Sequence, residues 1–213
     1  KLLVRFVVFI TQLIHGVVPR RVSVFIGSSI AIVFLITVSN GLVLQTLIQM
    51  ADDAFLQADK FNGAKLPKPS LATKTGSDAS LISWDSMGKQ GRSYITNGPS
   101  ADDIGLLTGS GGQQPIRVYA GLRSAESAEE RARLALAELI RVGGFDRSTL
   151  VISTPTGTGW LDPAGHDTME FILGGDVATI AMQYSYLASW LSLLTEPKYS
   201  GESARALFRK VYA

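Results

Sequence analysis

The apolar positions of this chain fall into three regimes. From Val22 to Ala51 thirty consecutive residues carry no charge, and Arg20 and Arg21 stand directly before them. A helix needs about 20 apolar residues to cross the hydrocarbon core of a bilayer. The run therefore predicts a transmembrane helix over about 22–50, long enough to span with some tilt. The polar residues within it, such as Ser28, Thr37 and Asn40, are uncharged and can bond backbone or a neighbouring helix. Before it, Lys1, Arg5, Gln12 and His15 recur near helical spacing among Leu2, Phe6, Phe9, Leu13 and other apolar residues. That pattern predicts an amphipathic helix over 1–15, lying in the membrane interface. Flanking arginines tend to stay cytoplasmic, and Asp52, Asp53 and Asp59 follow the other end. Residues 52–213 are accordingly expected outside the cytoplasm.

The second regime, 52–115, reads as an irregular connector. Pro67 and Pro69 disfavour helix in the residues before them, and glycines from Gly76 to Gly112 punctuate the rest. From Pro115 the pattern turns regular. Residues 116–122 alternate apolar and polar and predict a strand. Ser127 followed by Glu130 is a capping box, opening a helix to about Val142 with Ala132, Leu136, Leu139 and Ile140 at core spacing. Gly143-Gly144 ends it. Residues 149–153 form a short apolar strand, suited to a sheet covered on both faces. Strand, helix and strand make a βαβ unit with a right-handed crossover. A glycine-rich loop follows, Thr154 to Trp160, then a mostly helical stretch from Thr168 to Leu194. The last helix is expected from near Ser200, burying Ala204, Leu207, Phe208 and Val211.

Composition narrows the chemistry. Hydrophobic residues make up 46% and charged residues 18%, which suits a membrane-anchored α/β domain. A net charge of +2 is too small to argue for nucleic acid. Without cysteine there are no disulfides or thiolate metal sites, and two histidines are too few for a His-rich one. No metal or cofactor is expected. Thr156-Gly157-Thr158-Gly159 lacks the dinucleotide fingerprint, and no Lys-Ser/Thr pair makes it a P-loop.

Several ordered blocks carry a resemblance from about Trp84 to Ala213. They include Trp84-Asp85 with Gly88 and Gly91-Arg92, the run Pro115 to Leu122, Arg131 with Leu134 to Leu139, and Thr154 to Trp160. Gly174-Gly175-Asp176 and Gln183 to Leu187 with Trp190-Leu191-Ser192 complete them. Together they resemble the membrane-associated α/β-hydrolase family long catalogued as a domain of unknown function, and residues 1–50 resemble the end of its transmembrane region. The resemblance implies a transmembrane helix followed by part of an α/β-hydrolase-like parallel sheet with flanking helices, over 116–213. It also implies a serine nucleophile on a Gly-x-Ser-x-Gly elbow after the next strand, beyond Ala213, with the acid and histidine later still.

Within the chain, the loop after the third strand of such a fold donates a backbone N–H to the oxyanion hole. Taking 116–122 as the third strand and 149–153 as the fourth makes the backbone of Leu122 or Arg123 the candidate. Thr154, Thr156, Gly157, Thr158, Gly159 and Trp160 would border the pocket, and Tyr184, Tyr186 and Trp190 would line an apolar acyl or lipid site. Gly201-Glu202-Ser203 imitates an elbow, but Arg205 stands where its second glycine belongs, so Ser203 is read as a helix residue. His166 has no evident serine partner in the sequence. The expected function is a membrane-anchored serine esterase or lipase acting on a lipid or other acyl ester, with membrane lipids as partners. The alternative is a non-enzymatic module that binds lipid or a partner and assembles as a homo-oligomer through its helices.

Overall fold

The computed structural model describes residues 66–213 except 110 and 196, with a few isolated positions before them. The chain divides into two compact units, Lys1–Ala51 and Asp52–Ala213. The interfacial helix expected over 1–15 lies outside the described residues, as does most of the spanning helix expected over 22–50, whose described positions are helical. Among the described residues no helix is long and apolar enough to cross a membrane.

In the second unit, α1 (Gly88–Thr96) and α2 (Ala101–Thr108) precede β1 (Ile116–Ala120). Then follow α3 (Ala128–Arg141), β2 (Thr149–Ser153), α4 (Pro163–Ile172) and β3 (Val177–Met182). Helices α5 (Ser189–Thr195) and α6 (Pro197–Tyr212) close the unit. The three strands are parallel, in the order β1-β3-β2. The capping box at Ser127 and Glu130 forms as its spacing predicts.

The two predicted strands of the βαβ unit have a third, β3, between them. Four expectations are corrected. The mostly helical stretch expected over 168–194 is helical only to Ile172 and again in α5; between them Gly174 and Gly175, at φ 61° and 81°, turn the chain into β3. Val177 to Met182 is buried at every position, as a central strand must be, and a run that is apolar except for Thr179 has no period-2 signature to distinguish it from a buried helix. Residues 84–108, read as irregular, contain α1 and α2, and they send Trp84, Met87, Tyr94, Ile95 and Ile104 into the interior. Gly91 does not break α1; a Cβ there would stand 2.4 Å from the Tyr119 ring, so its bareness seats the helix on β1. The last helix begins at Pro197, a residue suited to a first helical turn, and it exposes Phe208. In α3 the buried face runs through Ala132, Ala135, Glu138 and Leu139, leaving Ile140 exposed.

The crossovers explain the layers. The chain moves two places across the sheet from β1 to β2 and one place back to β3. Right-handed connections in opposite directions lie on opposite faces. Helix α3, joined by α6 through Leu207, packs on β1 and β3 over Val118 and Ile180. The other face of β1 carries Arg117 and Tyr119, met by α1 and α4.

Candidate active site at the carboxyl ends of the strands

Neighbouring strands β3 and β2 leave the sheet toward opposite faces, and ligands in α/β sheets bind at such a switch point. Here the crevice is filled by one side chain. Gln183, 3% exposed, accepts the Leu122 N–H at Oε1 over 3.3 Å. Its Nε2 donates to the carbonyls of Ser185 at 2.8 Å and Thr158 at 3.3 Å. One amide thus ties together the loops that follow all three strands. The 154–160 loop is further closed on itself: Thr156 N–H donates to Trp160 O, and Trp160 N–H to the Thr156 hydroxyl. Tyr119 Oη donates to Gly159 O at 2.8 Å. Gly157 lets the loop touch the chain after β3, since a Cβ there would lie 2.2 Å from Leu187 O.

Beside this knot, over the ends of β1 and β3, a cleft of about 460 Å³ opens. Leu122 and Glu126 come from the loop after β1, and Ala128 and Arg131 from the start of α3. Tyr184 and Ser185 follow β3, and α6 contributes Tyr199, Glu202 and Ser203. Arg131 is 7% exposed, and its Nη1 donates to the carbonyls of Ala125 and Glu126. Its Nε is buried without a hydrogen-bond partner among the described residues. Burial pulls the guanidinium below its ordinary pKa.

A polar network lies on the opposite face. Arg117 Nε and Nη2 bond both oxygens of fully buried Glu170, and Nη2 also reaches Asp167. Burial alone would lower the Arg117 pKa; its bonds to Glu170 and Asp167 outweigh it and hold the guanidinium charged. Its cation sits 4.4 Å over the Tyr94 ring, whose hydroxyl burial pushes above its usual range. Next to it, Ser153 Oγ lies 3.0 Å from His166 Nε2, and His166 Nδ1 lies 2.9 Å from Asp162 O. A carbonyl only accepts, so Nδ1 donates to Asp162 O, and in the tautomer protonated at Nδ1 alone Nε2 accepts from the Ser153 hydroxyl. This corrects the expectation that His166 has no serine partner. The pair has the geometry of a base-activated hydroxyl, but neither residue lines the cleft. It fastens α4 to the end of β2.

Two family models match the chain. One, described as an alpha/beta-hydrolase family, covers residues 116–213, and the other, the N-terminus of that family, covers residues 1–99. The chain belongs to an alpha/beta-hydrolase family. No curated protein and no solved structure matches it. The parallel sheet flanked by helices fits a hydrolase-like fold of this kind.

Of the residues singled out from sequence in this family member, the structure brings Leu122 and Tyr184 to the cleft. Arg123 instead reaches Asp85 O. The stretch Thr154, Thr156, Gly157, Thr158, Gly159 and Trp160 forms the wedge between the strand ends, outside the cleft lining. Tyr186 is half-buried, and Trp190 is 67% exposed on α5. Sequence reading quoted Gln183 and Arg131 within the resemblance but gave neither a role in the site. A polar residue directly after a central strand, and an arginine on the apolar stripe of α3, were the available signals.

Proposed function

We propose that this protein is a membrane-anchored serine hydrolase of the esterase or lipase type, acting outside the cytoplasm on a lipid or other acyl ester. The observation that carries the reading is the cleft at the carboxyl ends of the strands, in a chain of an alpha/beta-hydrolase family. On its wall the Leu122 N–H is held, among the described residues, by the 3.3 Å bond to Gln183, long for an amide donor. Such a donor can turn to the developing oxyanion of a tetrahedral intermediate, where a backbone N–H aimed in advance is most effective. Tyr184 offers an apolar wall for the acyl group.

The nucleophile is assigned to a serine beyond Ala213, following the resemblance to the elbow-bearing family. The serines described here support that assignment. Ser153 has a base but no place in the cleft, and Ser203 lines the cleft while His166 is committed to Ser153. The membrane anchor rests on the uncharged run from Val22 to Ala51, and its orientation on Arg20 and Arg21.

Hydrolysis of p-nitrophenyl esters of graded acyl length by the full natural protein in detergent tests the activity. Turnover abolished by a serine-directed sulfonyl fluoride is expected; no turnover of any ester contradicts the reading. Protease added to intact cells tests the orientation, with cleavage within 52–213 expected.

A further inference from the structure

Arg131 carries a buried charge that the described residues do not balance. Arg117 and Glu138 are buried too, yet each has an ionic partner, Glu170 and Arg141 respectively. Arg131 has two backbone carbonyls at Nη1, no partner at Nε, and no ion pair among the described residues. A buried charge without a counter-ion is strongly destabilising, so its retention on the wall of a cleft points to a ligand that supplies one. Guanidinium groups recognise phosphate and carboxylate with paired N–H donors.

The rest of the lining has the opposite preference. Glu126 and Glu202 are exposed on the same cleft, and Tyr199 beside Glu202 adds an aromatic wall. Carboxylates and aromatic faces both favour an ammonium group. A simple anion would satisfy Arg131 and be repelled by both glutamates. We propose that the cleft binds a zwitterionic head group, its anionic oxygens on Arg131 and its ammonium against Glu126 and Glu202. A volume of about 460 Å³ suits a group of that size. The inference rests on the hydrolase reading for its catalytic meaning: the zwitterion would be the alcohol portion of the acyl ester, placed beside the Leu122 N–H.

Calorimetric titration of the full natural protein in detergent with O-phosphoethanolamine, inorganic phosphate and ethanolamine tests it. O-phosphoethanolamine is expected to bind at least about ten-fold more tightly than either fragment, a preference of about 1.4 kcal/mol. Arg131→Gln should abolish that binding. Because Arg131 also holds backbone carbonyls, the surface variant E126Q/E202Q is measured beside it; it should keep the fold and reduce the affinity to that of phosphate. Equal wild-type affinity for phosphate and O-phosphoethanolamine overturns the proposal, as does a preference that survives E126Q/E202Q or the absence of binding. Displacement by lysophosphatidylethanolamine in the micelle makes the source a lipid, and failure to displace makes it a soluble zwitterion; both uphold the head-group chemistry. Binding without turnover of any ester contradicts the hydrolase reading alone. Turnover of neutral esters without binding of the probes contradicts this inference alone.

Discussion

Gln183 shows how much of this unit's order depends on single buried polar groups. Replacing it with leucine keeps the volume but strips partners from Leu122 N–H, Thr158 O and Ser185 O together. Leaving buried groups unpaired costs about 1–3 kcal/mol, so urea denaturation of Gln183→Leu should show a loss of about 2 kcal/mol. Glu138 makes the same point with charge. It is fully buried on α3 and accepts from Ser80 Oγ, Leu81 N–H and two Arg141 nitrogens. Burial raises its carboxyl pKa, but those bonds outweigh burial and hold it below the ordinary range. A depressed folded pKa stabilises the fold above the ordinary carboxylate pKa, and that stabilisation is lost as pH falls through the depressed value. Glu138→Gln should cost about 3 kcal/mol at neutral pH, and its denaturation midpoint should fall less on acidification than the wild type's. Neither residue was legible as a brace in the sequence. A glutamate on an apolar helix stripe reveals its partner only after the chain folds, since Ser80 and Leu81 lie more than fifty positions away.

At the scale of elements, local signals were reliable where they were self-contained. The capping box fixed the start of α3, and the glycines after it marked the end. What failed depended on context. β3 has a sequence that can be helix or strand, and only its central place in the sheet decides. The glycine-rich loop illustrates the same limit, because its two internal glycines differ in purpose. Gly159, at φ 87°, takes a conformation that other residues avoid, whereas Gly157 is bare so that Leu187 O can approach. Gly157→Ala should lower stability by about 2 kcal/mol through overpacking. Gly165→Ala on α4, where the nearest atom to a new Cβ is 3.8 Å away, should raise it by about 0.5 kcal/mol. Thermal denaturation of the two variants side by side separates close approach from chain entropy.

For the molecule as a whole, the order β1-β3-β2 determines where chemistry can happen. It sends the exits of β1 and β3 to the face carrying α3 and α6, where the cleft opens, and the exit of β2 to the face of α4, where Ser153 and His166 meet. The parallel α/β class was legible from the strand-helix-strand pattern, and the family from ordered blocks of residues. The position of the cleft was not, because it follows from a strand order that periodicity does not encode. Labelling the full natural protein in detergent with a fluorophosphonate, and mapping the modified peptide by mass spectrometry, tests the proposed activity most directly. The account predicts one labelled serine beyond Ala213, with Ser153 and Ser203 unmodified. A label on Ser153 would contradict its assignment as a fastening for α4, and the absence of any label on folded, full-length protein would contradict the hydrolase reading itself.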